Sequence, residues 1–161
     1  MEIERKYLIK KIPENIGQYH SSEIEQGYLS MEPVLRIRKI DDQYILTYKS
    51  KTGVETREDV CVNHETELAL TKESYEHLRE KIDGILIEKT RYRISYNGHT
   101  IELDLFHGSY EGMVLAEIEF ETVEESEKFV KPDWFGKNVS GDHRYTNAFL
   151  AACKQKNLVQ P

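Results

Sequence analysis

Apolar side chains recur at every second position over most of this chain. That is the period of an extended segment with one buried face. In the first such segment, residues 2–10, Ile3, Tyr7 and Ile9 share one face while Glu2, Glu4 and Lys6 share the other. The same alternation, bounded by turn signals, predicts strands over 24–30, 34–40, 43–51, 54–63, 85–96, 99–106 and 114–121. Residues 13–17 read as a turn or a single helical turn, and Gly27 marks a bulge or a close approach. Asp41-Asp42, Thr52-Gly53 and Asn97-Gly98 read as hairpin turns, the last being the strongest short hairpin signal in the chain. The period lengthens over 71–82, where Leu70, Tyr75, Leu78 and Ile82 form a helical stripe with Thr71 as N-cap and Gly84 as stop. Thr122-Val123-Glu124-Glu125 is a capping box that opens a helix to Val130, ended by Pro132. A last helix is expected from about Asp142 to Lys154. Eight mostly antiparallel strands with a few helices, in one domain over residues 1–161, is the expected architecture.

Composition narrows the function more than the fold. The chain has 161 residues, of which 32% are charged, and its formal net charge is −7. An acidic balance argues against a nonspecific nucleic-acid binder but not against an anionic ligand held by a local cluster of cations. There is no run of eighteen apolar residues and no basic stretch leading into an apolar one, so a cytoplasmic protein without a membrane span is expected. Cys61 and Cys153 fit no metal or redox spacing, and the six histidines show no metal spacing either.

The polar faces carry the chemistry. Arg36 and Arg38 share a face, as do Lys49 and Lys51, and as do Lys89, Arg91 and Arg93. Glu102 and Asp104 lie together, and so do Glu117, Glu119 and Glu121. A half-solvated sheet is the commonest source of such alternation. Solvated faces, however, mix signs with Ser, Thr and Gln, whereas here each strand carries one sign in pairs or triplets. Like charges side by side repel, a cost that a ligand of opposite sign offsets. Eight strands suffice to close a barrel, and charged faces turned inward would line a tunnel with basic walls and an acidic patch. The apolar faces would then be covered from outside by the helices. A polyphosphate with divalent metal suits such a tunnel, since Arg and Lys hold phosphate oxygens while carboxylates need a cation between them and phosphate.

These residues resemble the CYTH superfamily, the triphosphate tunnel metalloenzymes. The family's Glu-x-Glu-x-Lys signature is present as Glu2-Ile3-Glu4-Arg5-Lys6, and its Arg-x-Arg strand as Arg36-Ile37-Arg38. The lysine strand matches Leu46-Thr47-Tyr48-Lys49-Ser50, and Glu-Lys-x-Arg matches Glu88-Lys89-Thr90-Arg91. Glu102-Leu103-Asp104 and Glu117-Ile118-Glu119-Phe120 match the acidic strands, and residues 142–147 match the C-terminal motif.

The resemblance, nearest to the bacterial inorganic tripolyphosphatase branch, implies an eight-stranded antiparallel β-barrel that hydrolyses a small polyphosphate with Mg²⁺ or Mn²⁺. It implies Glu2, Glu4, Asp104, Glu117 and Glu119 as metal ligands. Lys6, Arg36, Arg38, Lys49, Lys89, Arg91 and Arg144 are implied as phosphate ligands. Lys6 and Tyr28 are the implied catalytic pair, with a plain packing role for Tyr28 as the alternative. Whether Glu58 or Asp59 faces the tunnel is open at this stage, as is the choice between monomer and homodimer. Class IV adenylyl cyclase, an organic triphosphatase and a non-catalytic polyphosphate-binding module are the rival readings.

Overall fold

The computed structural model describes residues 1–50 and 58–152, and the hairpin expected at Thr52-Gly53 and the side chain of Lys51 lie outside them. Among the described residues nine strands form: β1 (Glu2–Ile9), β2 (His20–Met31), β3 (Val34–Ile40), β4 (Gln43–Ser50), β5 (Cys61–Ala69), β6 (Asp83–Tyr96), β7 (His99–His107), β8 (Val114–Phe120) and β9 (Phe135–Asn138). Three helices accompany them: α1 (Lys72–Arg79), α2 (Val123–Lys128) and α3 (Asn147–Ala152). The pairing order β5-β4-β3-β2-β6-β7-β8-β1 is closed by a β5–β1 contact, so eight antiparallel strands make a barrel. Strand β9 is the extra one. Along one edge of β1, Glu2 to Glu4 pair with β5, while Tyr7 and Ile9 pair with β9. The barrel therefore splays open between β1 and β5 beyond Glu4, and β9 takes over the vacated hydrogen bonds. At four residues with a central glycine, β9 is too short for alternation to reveal it.

Local chemistry explains most element ends. Thr71 caps α1, its hydroxyl accepting from the Ser74 N–H at 3.1 Å. Thr122 does the same for Glu125 in α2. Asn97 and Gly98 both take positive φ (46° and 81°), the geometry of a type I′ hairpin turn. Gly27 meets both expectations placed on it. The β2 register shifts beside it, and a Cβ there would lie 2.8 Å from Ile82 Cγ2.

Two boundaries differ. The fifth strand starts at Cys61 and runs to Ala69, past the end expected at Asn63. The C-terminal helix is interrupted: a 3₁₀ turn over His143–Tyr145 is followed by Thr146 in extended conformation, whose hydroxyl caps α3 at the Phe149 N–H. Gly84, expected as a helix stop, instead lies inside β6 with φ 75°, pressed against the Ala151 carbonyl of α3. Replacing Gly84 by alanine is expected to cost about 2 kcal/mol or more, through positive φ and the clash with α3. A denaturant midpoint unchanged from wild type would contradict this packing.

The apolar residues form two cores. The outer faces of β1, β7 and β8, with Ile3, Tyr7, Ile101, Leu103, Ile118 and Phe120 buried, lie under α2 and the segment carrying Phe129, Trp134 and Phe135. A second core fills one end of the barrel's interior. Tyr28, Ile87, Phe106 and Leu115 point inward there and meet Leu150 and Ala151 of α3. Two helices thus cover the barrel from outside, as expected, but the third stoppers it. The inward faces are charged over only part of their length.

Candidate active site

Ladder register decides which charges meet. Lys6 stands opposite Glu117 and Glu4 opposite Glu119 across β1 and β8, while Glu117 faces Glu102 of β7. Arg91 faces Asp104 across β6 and β7, Arg38 faces Gln26 across β3 and β2, and Lys49 faces Glu65 across β4 and β5. Because side-chain direction alternates strictly along each strand, these registers turn every one of those residues inward. The barrel interior therefore gathers Glu2, Glu4, Lys6, Arg36, Arg38, Lys49, Glu65, Lys89, Arg91, Asp104 and Glu117.

At the centre, Asp104 is fully buried and committed on both oxygens. Its Oδ1 accepts from Arg91 Nε at 2.7 Å, and its Oδ2 accepts from Arg91 Nη2 at 2.8 Å and from Lys89 Nζ at 2.7 Å. Burial alone would raise its pKa, but Arg91 and Lys89 outweigh that and hold it below the usual aspartate value. Burial pulls the Lys89 ammonium down to about 8, and Asp104 keeps it charged at neutral pH. Burial, with Arg36 and Arg91 alongside, also lowers the Arg38 guanidinium to about 9. Cations so crowded and so deeply buried are primed for an anion.

Nearer the open end the carboxylates gather. Burial, then Glu117, raises the Glu4 carboxyl to about 8, so it is protonated at neutral pH and hydrogen-bonds to Glu117. Glu117 is itself held well below the usual range, burial being outweighed by Lys6, Arg91 and Lys89. Lys6 Nζ lies 3.6 Å from Glu117 Oε1 and donates to the Tyr145 carbonyl at 3.0 Å. The Lys6 backbone is anchored too, its N–H donating to Ser140 Oγ at 2.8 Å and its carbonyl accepting from Val139. Lys49 bridges Glu2 at 2.9 Å and Glu65 at 3.3 Å. Burial and Arg36 pull the Lys49 pKa down, but Glu4, Glu2 and Glu65 prevail and hold it above the ordinary lysine value. A cavity of about 830 Å³ opens between this group and the second core, lined by Glu4, Lys6, Lys49 and Asn63 and by the less polar Met31, Val34, Tyr48, Val139 and Tyr145.

A closed eight-stranded barrel with this interior agrees with an independent observation: a family model for the CYTH domain matches residues 1–145. The chain belongs to the CYTH family. A relative from Nitrosomonas europaea named an inorganic triphosphatase is 35% identical over 154 residues, 93% of this chain and 96% of its own. An inorganic triphosphatase from Acetivibrio thermocellus is 35% identical over 165 residues, covering 98% of this chain and 97% of its own. The crystal structure of the inorganic triphosphatase NE1496 superposes with a TM-score of 0.70 at 33% identity, with 96% of each chain covered.

Of the residues that the CYTH motifs single out, most converge, whereas Glu119 and Arg144 stand apart. Glu119 faces inward but is exposed at the rim, where burial, then Glu2 and Glu102, raise its carboxyl. Arg144 projects to solvent and pairs at 2.6 Å with Asp142, which lines the cavity while Arg144 itself does not. The Tyr28 ring belongs to the inner apolar core, beside Arg38. The pair left open is separated by the structure: Asp59 pairs with Arg5 at 2.9 Å, while Glu58 lines the cavity. Glu65 and Glu67 of β5 face inward and were missed in the sequence, because a strand ended at Asn63 leaves their alternation in a loop. Gln26 was missed for a different reason: a lone amide in a strand carries no pattern.

The CYTH barrel's acids suit a hard divalent cation, all being carboxylate oxygens. Among the described residues no three His, Cys, Asp or Glu side chains converge on one point. What is present instead are two carboxyl–carboxyl contacts, Glu4 with Glu117 and Glu2 with Glu65. A cation bound at Glu4 and Glu117 would displace the proton that Glu4 carries toward Glu117, as metal ligation by carboxylates requires. On that ground the donor chemistry fits a divalent cation, which would be held by one carboxyl pair, Glu4 with Glu117 or Glu2 with Glu65, rather than by all four acids at one point. Asp104 does not join them, its oxygens being taken by Arg91 and Lys89.

Proposed function

We propose that this protein hydrolyses inorganic tripolyphosphate to pyrophosphate and phosphate inside the barrel, with Mg²⁺ or Mn²⁺ as cofactor. The observation that carries the reading is the meeting of six inward cations, Lys6, Arg36, Arg38, Lys49, Lys89 and Arg91, with the Glu4–Glu117 pair in one enclosed interior. The names of the two relatives support the substrate. Phosphoryl transfer asks chiefly for positioning and charge neutralisation. Arg36 and Arg38 hold nonbridging oxygens of the chain, and Lys89 and Arg91, oriented by Asp104, do so deeper in the barrel. Lys6 and Lys49 bind where they line the cavity, with Lys6 fixed by Ser140 and Tyr145. A bound divalent cation supplies charge neutralisation and lowers the pKa of water at the terminal phosphorus. Water attacks that phosphorus, pyrophosphate leaves with the bridging oxygen, and Lys6 and Tyr28 are the groups assigned to orient the water.

The less polar lining of the cavity favours one second reading, an organic triphosphate whose organic part rests against Tyr48, Val139 and Tyr145. Phosphate release from tripolyphosphate, ATP and thiamine triphosphate, with and without metal, decides between them. The expected result is the highest kcat/KM for tripolyphosphate, loss of turnover in excess EDTA and its return with Mg²⁺ or Mn²⁺. Faster turnover of an organic triphosphate selects the second reading, cyclic AMP from ATP selects a cyclase, and full turnover in EDTA removes the metal. Binding without turnover of any of the three selects a binding module. A cytoplasmic protein acting on a small molecule, as monomer or homodimer, is consistent with this reading, and no helix among the described residues is long and apolar enough to cross a membrane.

A further inference from the structure

Gln26 lies on the inward face of β2 with no exposed surface, in the middle of the cation cluster. Its Oε1 accepts from Arg38 Nε at 2.9 Å. That bond sets the orientation of the amide, because the flipped rotamer would press NH₂ against an N–H donor. The Nε2 group is thereby turned away from Arg38, and it is buried without a hydrogen-bond partner. Arg36 Nε, on the neighbouring strand, is likewise buried and unpartnered. Enclosed donors without acceptors are uncommon in folded proteins, and a ligand is one source of the missing acceptor.

We infer that Gln26 is a substrate-binding residue, donating its Nε2–H to a nonbridging oxygen of the bound polyphosphate beside Arg36 and Arg38. This rests on the polyphosphate reading above and adds to it a neutral contact. The physical advantage is charge economy: Arg38 already gives up part of its proton affinity to burial, then to Arg36 and Arg91, and another cation at position 26 would add to that repulsion. An amide adds two donors and no charge. Its held orientation also makes it a donor only, so it favours an oxygen that bears charge over a group that needs an acceptor.

The test is tripolyphosphate binding by calorimetry to the metal-free protein in EDTA, wild type against Gln26→Met, which keeps the length but has no donor. A lost hydrogen bond to a charged oxygen predicts a fall in affinity of about 10- to 100-fold. Affinity equal to wild type overturns the inference, whereas no binding by wild type itself removes the polyphosphate reading beneath it. A second measurement, on wild type alone, separates direct contact from an effect relayed through Arg38 and holds even where the variant does not fold. In nitrogen–proton correlation spectra, the Gln26 side-chain NH₂ signals shift downfield at saturating tripolyphosphate and exchange more slowly with solvent. Those of the exposed Gln18 and Gln43 stay in place. Unmoved Gln26 signals at saturation mean that Gln26 does not touch the ligand.

Discussion

Asp104→Asn is expected to destabilise the protein by about 3–5 kcal/mol and to lower activity with it. Asp104 is wholly enclosed and accepts three charge-assisted hydrogen bonds from Lys89 and Arg91. The amide preserves volume, so no cavity forms. It removes the one negative charge that both buried cations touch at hydrogen-bond distance, and it turns an NH₂ toward one of them. A shift in the urea midpoint at constant slope measures the loss, and a change under 1 kcal/mol would show that Glu117 and Glu102 compensate. The pH dependence has a definite sign. The carboxyl lies below its ordinary value in the folded state, so its contribution is complete above the unfolded value near 4 and fades as pH falls through the folded one. The gap between variant and wild type therefore narrows in acid.

Glu4→Gln is expected to reverse that pairing of effects, with activity reduced on the order of 100-fold or more while the metal-free fold is kept or strengthened. The carboxamide retains one acceptor but loses the charge that a hard cation needs. In the metal-free barrel Glu4 is protonated, its carboxyl raised to about 8 by burial and by Glu117. A carboxyl raised above its unfolded value of 4.5 favours folding below that value, and the advantage is lost as pH rises through about 8. Wild type in EDTA should lose thermal stability between neutral pH and pH 9, and Glu4→Gln should lose less. Added Mg²⁺ should raise the melting temperature of wild type more than that of the variant. Wild-type turnover by Glu4→Gln at low metal would remove Glu4 from the cation's ligands.

Alternation along single strands determined a great deal about this protein. Charges of one sign at every second position, as in Arg36 and Arg38 or Lys89 and Arg91, cannot share a buried face with Ile37 or Thr90. Each strand therefore declares two unlike faces, and their number is enough for a barrel. The caps at Thr71 and Thr122 and the turn at Asn97-Gly98 were equally legible, because their chemistry is complete within four residues.

What alternation could not supply is partnership between strands. Register alone joins Arg91 to Asp104 rather than leaving that carboxylate for a metal, and sets Glu65 beside Lys49. Register also turns the unpartnered amide of Gln26 into the cation cluster. The position of α3 was hidden for a related reason. Leu150 and Ala151 mark an apolar helix face in any arrangement, and only the inward Tyr28, Phe106 and Leu115 make it a stopper rather than an outer cover. Strand β9 exists because β1 has unpaired hydrogen-bonding groups where β5 leaves it. Local sequence specifies the faces of an element, whereas the contacts that decide pairing, protonation and access come from residues up to 139 positions apart, as between Lys6 and Tyr145.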